Sequence, residues 1–184
     1  MAMLKAVFLD RDGVINEDVH YLHRIEDFRF VPGILDVLKA FRERGYLLIV
    51  VTNQSGIGRG YYDERQFEEL TGWMLRQLKK AGIDIAKVYF SPYHPEATIE
   101  RYRRDSDCRK PNPGMLLTAQ TEFEIDMAAS LLIGDSESDV EAGRRSGVGR
   151  TIRVSRECAT GEQTSQADYI VGSVRDILSL VVNW

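Results

Sequence analysis

The chain has 184 residues, of which 43% are hydrophobic and 28% are charged, and its formal net charge is −4. This length and composition predict a soluble, globular, single-domain protein over residues 1–184, with a full hydrophobic core. The acidic balance disfavours a nucleic-acid partner, and no apolar run approaches the ~20 residues that a membrane-spanning helix needs. Cys108 and Cys158 are the only cysteines, so we expect no disulfide framework and a cytoplasmic location.

The first predicted strand, Ala6 to Leu9, is a short apolar run typical of a strand buried on both faces. Two carboxylates, Asp10 and Asp12, follow it, and then Gly13. Paired acids at the end of a buried strand require a compensating charge, which a cation with hard oxygen ligands such as magnesium supplies. The first aspartate can attack phosphorus, and the second can donate a proton to the leaving group. The alternative interpretation of this tetrapeptide alone is a polar turn.

A long connection, residues 14–31, comes next and is rich in charged and aromatic side chains. Loops of this length without periodicity are often binding loops. His20 and His23 lack ligand partners at fixed spacing, so we interpret them as polar loop residues rather than as a metal site.

The next units alternate between helix and strand. Pro32 and Gly33 open a predicted helix that stops at Gly45, and the strand 46–51 ends at Thr52. The glycine-rich residues 53–60 then predict a backbone nest for phosphate, with a flexible turn as the alternative.

Further along, Asp63 and Gln66 predict a capping box at the start of a helix that ends near residue 81. A third strand is predicted at 87–90. Residues 91–111, called here the inserted loop, interrupt the pattern and are expected to cover the sheet end. A helix then runs from Gly114 to about residue 123, with Asn112 as its cap.

The last part of the chain begins with a strand at 130–133 that delivers Asp135, followed by a helix that stops near Gly147. Residues 151–154 and 169–171 predict short edge strands, and Ser173 with Asp176 caps a last helix. This alternation predicts an α/β fold, with a Rossmann-like parallel sheet and helices on both faces.

Three predicted strands therefore end in reactive groups: Asp10 and Asp12, Thr52, and Asp135. A core needs none of these residues, whereas phosphoryl transfer needs charge stabilisation around three oxygens. Thr52 can donate to one oxygen, Lys110 can neutralise another, and a cation held by Asp10 and Asp135 can bind a third.

In the same order along nearly the whole chain, Asp10-Arg-Asp-Gly13, Thr52, Lys110 and Gly134-Asp135-x-x-x-Asp139 resemble the four motifs of the haloacid dehalogenase (HAD) phosphatase superfamily. The resemblance implies a HAD-like fold with a minimal cap made of inserted loops. It implies Asp10 as nucleophile, Asp12 as acid and base, and Thr52 and Lys110 as phosphoryl stabilisers. It also implies Mg2+ at Asp10, the backbone carbonyl of Asp12, and Asp135.

Within the superfamily, the segments 8–13, 51–57 and 108–111 are most similar to the heptose bisphosphate phosphatases. This implies a small sugar phosphate as substrate, and a monomer is the expected state. The implied substrate contacts are Asp18, Val19, His20, Tyr21, Asn53, Gln54, Ser55 and Arg109.

The chain departs from this family in two places. The family commonly holds a structural zinc through three cysteines and one histidine, and the matching residues here are Ser91, Tyr93, Ser106 and Cys108. One ligand cannot build a tetrahedral site, so we expect no structural zinc. Ser136 stands where a lysine commonly follows the motif-four aspartate, which removes a possible phosphate contact.

Other readings stay open from the sequence. Histidinol-phosphate phosphatases share the Thr-Asn-Gln and Cys-Arg-Lys-Pro segments, and DNA 3′-phosphatases share related ones, although the acidic balance disfavours DNA. A phospho-accepting receiver domain is an alternative of a different class. In a receiver, however, the accepting aspartate would come later in the chain.

Overall fold

The computed structural model describes residues 3–155 and 165–182, so that Cys158 lies outside the described residues. These residues form a six-stranded parallel sheet of order β3-β2-β1-β4-β5-β6. The strands are β1 (Ala6–Leu9), β2 (Leu47–Asn53), β3 (Lys87–Ser91), β4 (Leu131–Gly134), β5 (Arg150–Val154) and β6 (Tyr169–Val171). The predicted parallel sheet is confirmed. The expectation that β5 is an edge strand is wrong, because it pairs with both β4 and β6; its short length does not decide its place in the sheet.

The helices are α1 (Ile34–Glu43), α2 (Ser55–Gly58), α3 (Glu64–Lys80), α4 (Gly114–Phe123), α5 (Glu137–Ser146) and α6 (Ile177–Val181). The predicted capping box at α3 is confirmed, since Asp63 accepts the N–H of Gln66 at 2.8 Å and the Gln66 side chain accepts the N–H of Asp63 at 3.0 Å. The prediction that Asn112 caps α4 is wrong. Its amide instead donates to the carbonyl of Ser106 at 3.1 Å, within the preceding loop.

Helices cover both faces of the sheet. Val7 and Leu9 of β1 pack in one cluster with residues of α1, α3 and α6, whereas Ala6 and Phe8 pack in another with residues of α4 and α5. This division follows from the two-residue period of a strand. Because both faces are buried, polar groups are left to the carboxyl ends of the strands, where ligands bind in open α/β sheets.

The inserted loop follows β3 and contains one short 3₁₀ helix, Glu100–Tyr102. Its residues Ala97 and Tyr102 pack against Ile57, Tyr62 and Phe67 in a small separate cluster. No helix among the described residues is long and apolar enough to cross a membrane.

Candidate active site

The predicted acids converge because β1 lies between β2 and β4, with Leu9 in register with Val50 and Ile133. Asp10 continues this ladder, since its N–H donates to the Ile133 carbonyl at 2.9 Å. A cavity of about 290 Å³ opens at this edge. Its walls include the predicted residues Asp10, Asp12, Asp18, His20, Tyr21, Asn53, Gln54, Ser55 and Asp135, together with Gly56 and Tyr62.

Four predicted residues do not line this cavity. Thr52 and Lys110 are buried, and Arg109 is half-buried next to Lys110 in the chain. Val19 is exposed and lines a neighbouring cavity of about 590 Å³ instead. The structure therefore groups most of the predicted residues around the cavity, whereas Thr52 and Lys110 are buried and do not line it.

The carboxylate of Asp10 contacts the protein through Oδ1. Its Oδ1 accepts the backbone N–H of Arg11 at 2.8 Å and lies 3.0 Å from the ammonium of Lys110. Burial raises the pKa of Asp10 to about 8. Lys110 opposes this shift, whereas the negative charges of Asp139 and Asp135 add to it. A divalent cation beside these acids would lower the pKa of Asp10 and favour its ionised form.

Lys110 is held between the acids. Its Nζ lies 2.5 Å from Oδ1 of Asp139 and donates to the carbonyl of Val51 at 2.8 Å, and its side chain is 1% exposed. Burial alone lowers the pKa of Lys110, but Asp10 and Asp139 raise it above its usual range. The ammonium therefore stays charged and has little freedom to move.

Asp139 was not selected as a site residue from the sequence, although its spacing from Asp135 was a signal. Its Oδ2 accepts the N–H and the hydroxyl of Ser136, at 3.1 and 2.6 Å, and so caps α5. A Cβ on Gly134 would lie 2.2 Å from the Cβ of Asp139, so only glycine permits this approach. Ser136 thus serves the capping box that fixes Asp139.

Asp10, Asp135 and Asp139 each place one oxygen within 4.8 Å of the others, and no other such cluster of acids, histidines or cysteines occurs among the described residues. Burial and Asp139 raise the pKa of Asp135 to about 6, although Lys110 lowers it. Gly13 has a φ of +80°, and a Cβ there would lie 2.1 Å from the Asp135 carboxylate. This all-oxygen set fits a hard divalent cation better than zinc.

The carboxylate of Asp12 is surrounded by donors. Its Oδ1 accepts from Nη2 of Arg11 and from the Asn16 amide, both at 2.9 Å, and its Oδ2 accepts from the Gln54 amide at 2.9 Å. Arg11 and Asn16 are buried and were not selected from the sequence. Their contacts with Asp12 are local, one and four positions apart in the chain, within a turn in which the N–H groups of Ile15 and Asn16 donate to the Arg11 carbonyl.

Two predicted substrate contacts, Asn53 and Gln54, bind protein groups with their side chains. Asn53 accepts the N–H of Lys110 at 3.0 Å and donates to its carbonyl at 2.9 Å. Gln54 donates to Oγ1 of Thr52 at 2.8 Å and accepts from the Tyr62 hydroxyl at 2.5 Å. The glycine-rich stretch after them, predicted as a nest, forms the single helical turn α2.

The loop 14–31 forms the outer wall of the cavity. Asp18 accepts the N–H of His20 at 3.0 Å, and both His20 and Tyr21 have positive φ angles of 50° and 54°. The ring of Tyr21 packs on Tyr61 with centroids 4.5 Å apart, and His23 stacks on the Tyr62 ring at 5.2 Å. These contacts fasten the loop to the segment between α2 and α3.

Comparisons with known proteins agree with this arrangement. Residues 107–177 match the family model of HAD-hydrolase-like proteins. The D-glycero-alpha-D-manno-heptose-1,7-bisphosphate 7-phosphatase of Burkholderia mallei is 49% identical over 174 residues, which cover 95% of this chain and 92% of that protein. The D-glycero-beta-D-manno-heptose-1,7-bisphosphate 7-phosphatase of Photorhabdus laumondii is 45% identical over 175 residues, which cover 95% and 93%.

Among solved structures, the D,D-heptose 1,7-bisphosphate phosphatase of B. bronchiseptica, complexed with magnesium and phosphate, matches with a TM-score of 0.83. The match covers 98% of this chain and 99% of that one, at 24% sequence identity, and so supports the fold. The high identity to the curated relatives extends over nearly the whole chain. The protein therefore belongs to the HAD-like hydrolases, in the family of the D-glycero-D-manno-heptose-1,7-bisphosphate 7-phosphatases.

Proposed function

We propose that the protein is a magnesium-dependent phosphatase that removes the 7-phosphate of D-glycero-D-manno-heptose 1,7-bisphosphate. The products are heptose 1-phosphate and inorganic phosphate, and residues 1–184 act as one domain. The observation that carries the proposal is the buried array of Asp10, Lys110 and Asp139 beside Asp135, in a chain 45–49% identical to phosphatases with this name.

Asp10 is the proposed nucleophile. Lys110 and the N–H of Arg11 both engage its Oδ1, which leaves Oδ2 to attack phosphorus. A bond from Asp10 to phosphorus forms as the ester bond breaks, and Asp12 donates a proton to the departing sugar oxygen. Asp12 then accepts a proton from the water that hydrolyses the aspartyl phosphate.

Asp10, Asp135 and the backbone carbonyl of Asp12 are the proposed magnesium ligands, and magnesium held there would supply positive charge to the phosphoryl transfer. Lys110 neutralises charge on the same group, and the Thr52 hydroxyl donates to one of its oxygens. Lys110 also lowers the negative charge that an incoming phosphate meets at Asp10, since it lies 3.0 Å from that carboxylate.

A sugar bisphosphate carries a second anion, and Arg109 is the proposed residue that recognises it. Burial and the nearby Arg59 guanidinium lower the pKa of Arg109, so two positive groups lie within each other's field. An anion beside them relieves this repulsion. Asp18, Val19, His20, Tyr21 and Ser55 are the proposed contacts to the sugar.

Phosphate release from a substrate panel tests the proposal. The panel contains both anomers of heptose 1,7-bisphosphate, because relatives are named for each, together with histidinol phosphate and a 3′-phosphorylated oligonucleotide. We expect the better anomer to exceed the other classes in kcat/KM by at least about tenfold. Equal or faster turnover of histidinol phosphate would assign that substrate instead. A stable phosphoaspartate without turnover would indicate a receiver module.

A further inference from the structure

Each polar atom of the Gln54 side chain has a hydrogen-bond partner inside the protein. One amide N–H donates to Oδ2 of Asp12 at 2.9 Å, and the other donates to Oγ1 of Thr52 at 2.8 Å. The amide oxygen accepts the hydroxyl of Tyr62 at 2.5 Å. The Gln54 residue is 2% exposed, so water does not compete for these bonds.

We propose that Gln54 is a positioning residue that orients the reacting groups of Asp12 and Thr52, and that Tyr62 holds its amide in the required orientation. The proposal rests on the proposed phosphatase function, since it gives these two groups their roles in phosphoryl transfer.

The directions of these hydrogen bonds determine where the Thr52 hydroxyl hydrogen can point. Because Oγ1 of Thr52 accepts from Gln54, the Thr52 hydroxyl hydrogen is free to point to another acceptor, which is the phosphoryl oxygen during the reaction. Rotation of the amide by 180° would turn its oxygen toward the Asp12 carboxylate, where two acceptors would repel each other. The Asp12 carboxylate accepts only and therefore fixes which side of the amide faces it, and the Tyr62 hydroxyl donates to the amide oxygen in that orientation.

The Tyr62 side chain is itself held in place by burial and by a ring contact. It is 5% exposed, and its ring stacks on His23 of the long loop. Burial raises the pKa of the Tyr62 phenol above its usual range, although Arg11 lowers it, so the hydroxyl keeps its proton. Its neighbour Tyr61 is 57% exposed and makes a ring contact with Tyr21 that a phenylalanine would preserve, so it offers a matched control.

The test compares Gln54→Met, Tyr62→Phe and Tyr61→Phe on heptose 1,7-bisphosphate and on p-nitrophenyl phosphate. The aryl ester has a good leaving group and needs little proton donation, whereas the sugar ester depends on Asp12. For Gln54→Met we expect kcat on the sugar substrate to fall about 100-fold with KM within about threefold, and the loss on the aryl ester to be smaller. Tyr62→Phe should lower kcat on both substrates by about fivefold or less, again with the smaller loss on the aryl ester. Tyr61→Phe should change kcat on neither substrate.

Three outcomes for Gln54→Met overturn the inference, and one outcome for Asp12→Asn does so as well. A rise in KM at unchanged kcat for Gln54→Met would make Gln54 a substrate ligand. Equal losses of kcat on the two substrates would remove the link to Asp12, and wild-type kcat would remove any positioning role. Asp12→Asn is measured in parallel: a selective loss on the sugar ester supports the proposed function even if Gln54→Met fails. Equal losses for Asp12→Asn would overturn both the acid role and the inference.

Discussion

The carboxyl ends of the central strands and the inserted loop bring charge to the same site by different means. Asp10 follows a buried strand, and the sheet ladder fixes its backbone through the Ile133 carbonyl. Lys110 lies near the end of an irregular loop, outside the strand ladder. The loop is attached by the two hydrogen bonds between Asn53 and the backbone of Lys110, and by the N–H of Ile99, which donates to the Gly58 carbonyl at 2.9 Å.

This difference teaches that the sheet places the acids, whereas the loop supplies the cation that compensates them. Burial and the neighbouring acids raise the pKa of Asp10, and Lys110 is the protein cation that opposes this shift. A change in the loop should therefore reach the chemistry through Lys110, while a change at a strand end should act directly.

The largest effect is expected for Asp10→Asn, at a strand end. The amide keeps the shape of the side chain but removes the nucleophilic charge and one proposed metal ligand, so kcat should fall at least about 1,000-fold. The melting temperature should not fall, because the change removes one of three clustered carboxylates. Phosphate release and thermal denaturation measure the two effects. Turnover within about tenfold of wild type would exclude Asp10 as the nucleophile.

Lys110→Met tests the loop's side of the comparison. Without the ammonium, Asp10 and Asp139 share a buried space with no counter-charge, so the free energy of unfolding should fall by about 3 kcal/mol without added magnesium. Turnover should fall about 100-fold. Urea unfolding and phosphate release give the two values.

Lys87→Met is the matched control, because Lys87 pairs with Glu122 on the surface with side chains 43% and 40% exposed. The free energy of unfolding of Lys87→Met should fall by less than about 1 kcal/mol. If the two lysine variants lost similar free energies of unfolding, the buried ion pairs of Lys110 would stabilise the protein no more than a surface pair.

Asn53→Ala tests whether the loop needs its attachment to β2. The change removes both hydrogen bonds to the backbone of Lys110, so we expect stability to fall by about 1–2 kcal/mol and kcat by about tenfold. Asn112→Ala is the control, since Asn112 bonds Ser106 and Arg145 but not Lys110. A raised KM with unchanged kcat in Asn53→Ala would instead support the substrate contact predicted from the sequence.

The smallest effect is expected from treatment with a zinc chelator, because we expect the inserted loop to hold no zinc. We predict that the inserted loop holds its position through Tyr93, Tyr102 and Arg104, whose rings and guanidinium pack together. Elemental analysis should find no stoichiometric zinc, and chelation followed by added magnesium should leave activity unchanged. Stoichiometric zinc with loss of activity on its removal would show that the loop uses a metal, with His94, Asp105 or Asp107 beside Cys108 as ligands.

Local patterns were sufficient to predict most elements of this protein. Short apolar runs mark the four-residue strands β1 and β4, and the capping box formed by Asp63 and Gln66 marks the start of α3. These signals are readable because the side-chain periodicity and the capping bonds involve residues close together in the chain. The same locality explains why Asp10, Asp12, Thr52 and Asp135 were predicted at the sheet edge: each lies within three residues of the end of an apolar run.

Only the tertiary structure decided how these groups are paired. The bonds from Asn53 to Lys110 join residues 57 positions apart, and the bond from Gln54 to Asp12 joins residues 42 positions apart. Such contacts depend on how loops pack over the sheet edge, which local propensity does not encode. The sequence by itself therefore determined which strands end in reactive groups. The packing of the loops decided that Asn53 and Gln54 hold Lys110, Asp12 and Thr52, because a buried amide binds whichever partner the fold brings within reach.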